Sequence, residues 1–134
     1  MPQRLDKTLC DWLNRRPKPY TVVFHINHAR EISSSFRKAV ARLDRRTLLN
    51  QAVLLAGVND DSRTLADLSR ACHDVGILPY YLNMLDKTEG VAHFEVGLEK
   101  ARAIMQALRE SLPGYLVPRL VREQAGASAK TIVA

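Results

Sequence analysis

Long apolar runs are missing from these 134 residues. None approaches the roughly 18 consecutive apolar residues of a membrane-spanning helix. The start, MPQRLDKTLCDWLNRRPKP, has no apolar signal core. The expectation is a cytoplasmic chain with no membrane partner. Cysteine is scarce as well. Cys10 and Cys72 stand far apart, each in a segment of helical periodicity, and read as free core thiols rather than as a disulfide or a metal site. Low-complexity tracts and internal repeats are absent. Concentrated charge is also lacking: 20 Lys and Arg against 14 Asp and Glu leave a net charge of +6, but the cations are scattered, as Arg15, Arg16 and Lys18, then Arg42, Arg45 and Arg46, then Arg119 and Arg122. Such a distribution reads as solvated helix ends and argues against a nucleic-acid partner.

What is present is ordinary for a globular domain: 46% hydrophobic and 25% charged residues. The length is one domain's worth, residues 1–134, and could hide about two-thirds of the unfolded surface. The chain is organised around Thr47 to Asp60, TLLNQAVLLAGVND. Its apolar middle, Ala52 to Ala56, predicts a central strand covered on both faces, and Gly57-Val58-Asn59-Asp60 predicts a turn carrying a carboxylate at its carboxyl end. Before it, Leu9, Trp12 and Leu13 predict a helix over Thr8 to Arg16, ended by Pro17-Lys18-Pro19. Tyr20 to Phe24 predicts a strand delivering His25-Ile26-Asn27-His28. Phe36, Val40 and Leu43 then mark a helix beginning near Ser33. Beyond the central strand, Leu65, Leu68, Cys72 and Val75 line a helix capped by Asp61 or Ser62 and closed by Gly76. Ile77 to Asn83 predicts a strand, followed by a loop from Met84 to Phe94. Leu98, Ala101, Ile104, Met105 and Leu108 mark a helix broken by Pro113-Gly114. Tyr115 to Val121 predicts a fourth strand, and 123–134 a loop or tail. Four strands alternating with helices imply an α/β fold of parallel βαβ units, and a four-stranded parallel piece of a barrel leaves raw edges to be covered or paired.

The candidate chemistry lies at the carboxyl ends of the strands. His25 and His28, with His93, have the residue types of a zinc site, but a spacing of two on a strand-to-loop segment is weak evidence for one, and structural or hydrogen-bonding histidines are the better reading, with no metal expected. Asp60 and Asp86 leave adjacent strands and together suit a cationic ligand such as an ammonium group; each could equally cap its own turn. Strand alternation predicts that only one of Tyr80 and Tyr81 faces a barrel interior. Lys130 sits in a loop of small residues and could form a Schiff base if buried beside a cofactor.

Five segments in order, HINHAREI, LLNQAVLLAGVND, LPYYLNMLDKTEGVAHF, GYLVPRLVRE and AKT, resemble the carboxyl-terminal half of the radical SAM lysine 2,3-aminomutase family, in particular the branch acting in β-lysylation of elongation factor P. The resemblance runs from about Pro2 to Thr131. It implies a partial (β/α) barrel, half of a TIM-like barrel, in an isomerase using a [4Fe-4S] cluster, S-adenosylmethionine and pyridoxal phosphate to move the amino group of lysine from carbon 2 to carbon 3. By the same resemblance Lys130 is the lysine that carries pyridoxal phosphate. Asp60 and Asp86 hold the ammonium of the substrate lysine. His25, Asn27, His28, Asn50 and Gln51 surround the adenosyl ligand and pyridoxal phosphate.

The departures from the family pattern are as informative. The CxxxCxxC motif, whose three thiolates hold the cluster and leave one iron open, is absent, and Cys10 and Cys72 match it in neither number nor spacing. The link between Leu43 and Leu48 is short and lacks glycine, and Ile132 stands where relatives carry proline. The expectation is a fragment of an aminomutase-like enzyme, inactive by itself, within the elongation factor P pathway and completed by a partner chain carrying the amino-terminal half. The alternative is a non-catalytic interaction module that completes a partner chain or binds an acidic protein or RNA.

Overall fold

The computed structural model describes residues 5–44, 46–85, 92–122 and 130–134. Helix α1, Lys7–Asn14, begins at Asp6, whose side chain accepts from the Leu9 amide. Strand β1, Tyr20–Phe24, has the predicted bounds. Helix α2, Ser34–Ala41, is capped by Ser33 and packs Phe36 edge-on to Phe24, ring centroids 5.4 Å apart. Strand β2, Arg46–Leu54, is followed by α3, Ser62–Asp74, then β3, Leu78–Met84, and α4, Leu98–Ser111. A 3-10 turn at Gly114–Leu116 takes the first part of the predicted fourth strand, and β4 is confined to Arg119–Arg122.

Helix α3 is delimited at both ends by local chemistry. Asp61 accepts from the Thr64 amide and hydroxyl, both at 2.8 Å, the N-cap that satisfies orphan amides of a first turn. At the other end Gly76, with φ +81°, turns the chain so that its amide donates to His73 O and the Ile77 amide to Cys72 O, both at 2.9 Å. This pair of bonds closes the helix as a Schellman motif, a conformation glycine adopts without a Cβ penalty.

With a short fifth strand, β5, at Thr131–Ile132, the sheet order is β1-β2-β3-β4-β5. The first four strands are parallel, as the alternation of strands and helices predicts. The fifth, Thr131–Ile132, runs antiparallel to β4, pairing Val121 with Ile132 and Arg122 with Thr131. The tail is therefore not loop throughout: its last residues spend their backbone groups on the outer edge of β4.

One face of the sheet meets the helices. Leu48, Ala52, Leu54, Phe24, Leu82, Met84 and Leu120 are buried there in one core with Phe36, Leu65, Leu68, Cys72, Met105 and Leu108. The other face has no such layer among the described residues. On β2 buried residues alternate with the half-buried Leu49, Gln51 and Val53, and Val23 and Leu78 are 38% and 39% exposed. The expectation that β2 is covered on both faces is thus corrected: among the described residues no layer packs on its second side, and the strand shows the period of two typical of a one-sided sheet.

The Tyr80–Tyr81 expectation is corrected too. Register advances from Asn50↔Pro79 to Gln51↔Tyr81, leaving Tyr80 as an extra residue. This β-bulge suspends the alternation, so both rings lie together, centroids 3.8 Å apart and 28° from coplanar.

Candidate active site

Asparagine side chains tie together the carboxyl ends of the first three strands. Asn50, buried on the helix side, accepts from the Ile26 amide and donates to the Ile26 carbonyl, both at 2.9 Å. It thereby extends the β1–β2 ladder past the end of β1 in the way a backbone pair would. Asn27 accepts from the Val53 amide at 2.9 Å. Asn59, fully buried, donates to Asn27 O and Val53 O and accepts from the Leu55 amide. Asn83 donates to Ala52 O at 3.2 Å. Parallel strands diverge into loops where their ladders end, and buried amides left there without partners are costly. Carboxamides, with a donor and an acceptor on one short stem, satisfy both kinds of orphan.

The two histidines separate. His28 caps a 3-10 turn at Ala29–Glu31: its Nδ1 accepts from the Arg30 amide at 3.1 Å, while Glu31 accepts from the amides of Asn27 and His28. His25 is exposed. His93 lies beside Phe94 in the turn Ala92–Phe94, ring centroids 4.1 Å apart, and the Phe94 carbonyl accepts from the Ala56 amide. No group of three or more metal-ligating side chains forms among the described residues. Gln51 lies half-buried on the open face, in register with Tyr81.

Lys130 reaches the same open face. Its Nζ donates to Asn83 Oδ1 at 2.7 Å and stands 5.7 Å from the centre of the Tyr81 ring. Asp60 turns the other way. Its Oδ1 accepts from the Gly57 amide at 3.0 Å, and Oδ2 pairs with Lys100 of α4 at 2.7 Å. The Lys100 ammonium is the main cause holding the Asp60 carboxyl below its ordinary value. The structure therefore brings Lys130 and Gln51 to the open face, places Asn27 just past the end of β1, keeps Asn50 on the helix side of β2, and directs Asp60 toward a helix. Asp86 lies outside the described residues.

Sequence reasoning missed Asn59, Asn83 and Lys100. Asn59 stands in a turn sequence where asparagine needs no further explanation, and Asn83 could be found from its place at the end of β3. Nothing local marks Lys100, whose partner is 40 residues away.

The thiols do not suit an iron-sulfur cluster. Cys10 and Cys72 are both buried, Cys10 against the Ala39 carbonyl, and burial pushes the Cys72 thiol up to about 12. Two inward-facing thiols on separate helices cannot supply the three thiolates a site-differentiated cluster needs. The residues on the open face do fit an aldehyde cofactor, because a lysine amine stands there beside an aromatic ring.

No family model matches the chain. Among curated proteins, it is 48% identical over 133 residues to an L-lysine 2,3-aminomutase of Escherichia coli (strain K12), covering 98% of this chain and 39% of that protein. It is 44% identical over 136 residues to an L-lysine 2,3-aminomutase of Haemophilus influenzae, covering all of this chain and 40% of that protein. An L-lysine 2,3-aminomutase of Methanococcus maripaludis is 33% identical over 132 residues. Among solved structures, a radical SAM methyltransferase from Sphaerobacter thermophilus superposes with a TM-score of 0.62 at 18% identity, over 88% of this chain and 38% of that one. That likeness carries the fold: an α/β sheet corresponding to part of a barrel. The chain spans about two-fifths of the length of the Escherichia coli and Haemophilus influenzae proteins.

Proposed function

We propose, on the premise that this chain is the homologue of a carboxyl-terminal portion of the radical SAM lysine 2,3-aminomutases, that it is the cofactor-lysine part of an enzyme converting lysine to β-lysine. The observation that carries this reading is the placement of the Lys130 amine. It is held by Asn83 at the carboxyl end of the sheet, on the face without a helix layer. Pyridoxal phosphate, when bound, supplies a carbonyl to which an amino group can be attached while it migrates. Lys130 would hold that group, Asn27 and Gln51, with His25 and His28, would shape the mouth around it and the adenosyl ligand, and Asn50 would act from behind by fixing the chain at Ile26. Asp60 and Asp86 would receive the ammonium of the substrate side chain. For Asp60 this requires exchange, since Lys100 already supplies an ammonium there.

No radical step is assigned to this chain, because its thiols cannot hold the cluster. The complete reaction would need a partner chain or segment bearing three cluster cysteines, acting in the cytoplasm on the elongation factor P pathway. Two measurements test this. Anaerobic reconstitution of the 134-residue chain with iron and sulfide should yield no [4Fe-4S] absorption and no cleavage of S-adenosylmethionine; either signal overturns the division of labour. Borohydride reduction in the presence of pyridoxal phosphate, followed by peptide mass spectrometry, should place the adduct on Lys130. Labelling spread evenly over Lys18, Lys38 and Lys130 would remove that assignment.

A second reading, a non-catalytic module that completes a partner, draws on the uncovered sheet face and on Val23 exposed along β1. It predicts tight association with an amino-terminal aminomutase half even when Lys130 is replaced by alanine.

A further inference from the structure

The bulge in β3 has placed two tyrosines where regular pleating would place one. Tyr80 and Tyr81 stack, their hydroxyls 3.0 Å apart, and Lys130 stands over the Tyr81 ring. The amide of Asn83 is oriented by its own surroundings. Its Nδ2 donates to the Ala52 carbonyl, which leaves Oδ1 directed at the Lys130 Nζ. A flipped amide would set an NH2 group against the lysine donors and an oxygen against a carbonyl oxygen, losing both bonds. Asn83 therefore presents an acceptor in one fixed direction, anchored to the central strand β2. A lysine side chain has four rotatable carbons and is costly to order; an anchored acceptor restricts where its amine can be.

We infer that Asn83 positions the Lys130 amine for carbonyl capture, and that Tyr81, backed by Tyr80, is the surface against which a planar aromatic aldehyde lies once captured. The site would thereby favour aromatic over saturated aldehydes. In the capture step the lysine nitrogen bonds to the aldehyde carbon and the carbonyl oxygen leaves. Two of the three ammonium protons depart with that oxygen as water, and the third goes to solvent. No oxidant or further reactant is required. The inference rests on the assignment of Lys130 under the proposed function, and it adds an assignment of selectivity to Tyr81 and of positioning to Asn83.

The test uses the whole chain, two aldehyde probes, pyridoxal and formaldehyde, trapping with cyanoborohydride, and quantification of labelling at Lys130 by peptide mass spectrometry. The exposed Lys18 and Lys38 serve as internal references. For Tyr81→Leu, pyridoxal labelling at Lys130 falls about three- to tenfold, the worth of an aromatic contact, while formaldehyde labelling is unchanged. Tyr81→Phe keeps the ring and retains pyridoxal labelling. Asn83→Leu lowers labelling of Lys130 by both probes and leaves labelling of Lys18 and Lys38 unchanged. Equal responses of the two probes to Tyr81→Leu overturn the aromatic platform, and unchanged labelling in Asn83→Leu overturns the positioning role. If Lys130 in the unsubstituted chain reacts no faster with pyridoxal than Lys18 and Lys38 do, the assignment of Lys130 itself falls, and this inference with it.

Discussion

Asn59 shows how one side chain holds the mouth of the sheet. It is fully buried, receives one backbone amide and donates to two backbone carbonyls from two segments. Removing it leaves one amide and two carbonyls of half-buried residues without this partner. Asn59→Ala should cost about 3 kcal/mol of unfolding free energy, read as a lower urea midpoint with an unchanged slope. Asp60, its neighbour, behaves differently because its partner is solvated. Lys100 holds the Asp60 carboxyl below its ordinary value. The stabilisation is therefore complete above the usual carboxylate range and disappears as pH falls through the lowered value. With the Lys100 side chain 56% exposed, the pair contributes no more than about 1 kcal/mol. Lys100→Ala should raise the Asp60 titration midpoint, followed by carboxyl-carbon NMR, and should leave pH 7 stability nearly intact. An unmoved midpoint would show that the pair is not formed in solution.

At the level of elements, agreement between sequence and structure follows the range of the forces involved. Helices α3 and α4 and strand β1 are set by local periodicity and by caps such as Asp61, so they are legible from residues alone. The same cap carries a pH dependence. Hydrogen bonds from the Thr64 amide, then its hydroxyl, hold the Asp61 carboxyl below its ordinary value, so the cap is worth most above pH 4 and is lost in acid. Asp61→Asn should keep most of the neutral-pH stability, since asparagine caps equally well, and should flatten the decline in melting temperature between pH 5 and about pH 2. Asp61→Ala should lose about 1 kcal/mol at neutral pH. The bulge at Tyr80 is less legible because it depends on the pairing of β3 with β2. One signal was present: Pro79 interrupts a strand paired on both sides, and proline within sheets is confined to edges and bulges. Strand β5 was hidden for a related reason, since two residues carry no periodicity and pair only because β4 offers an edge.

For the whole molecule, the uncovered face and the free side of β1 govern behaviour in solution. Val23, Leu78 and Tyr80 are each more than a third exposed, and the outer ladder of β1 is unpaired among the described residues. Unpaired edges of this kind recruit other strands. The 134-residue chain should self-associate at micromolar concentration, detectable by sedimentation equilibrium, and Val23→Lys on β1 should weaken the association. A monomer persisting to high concentration would contradict this. The antiparallel β5 decides what kind of association it can be. The far edge is reduced to the two residues of β5 against the five of β1, so pairing along β1 by a twofold axis uses the longer ladder and leaves a third copy only a two-residue edge to extend. The geometry is that of a closed pair rather than a growing fibre.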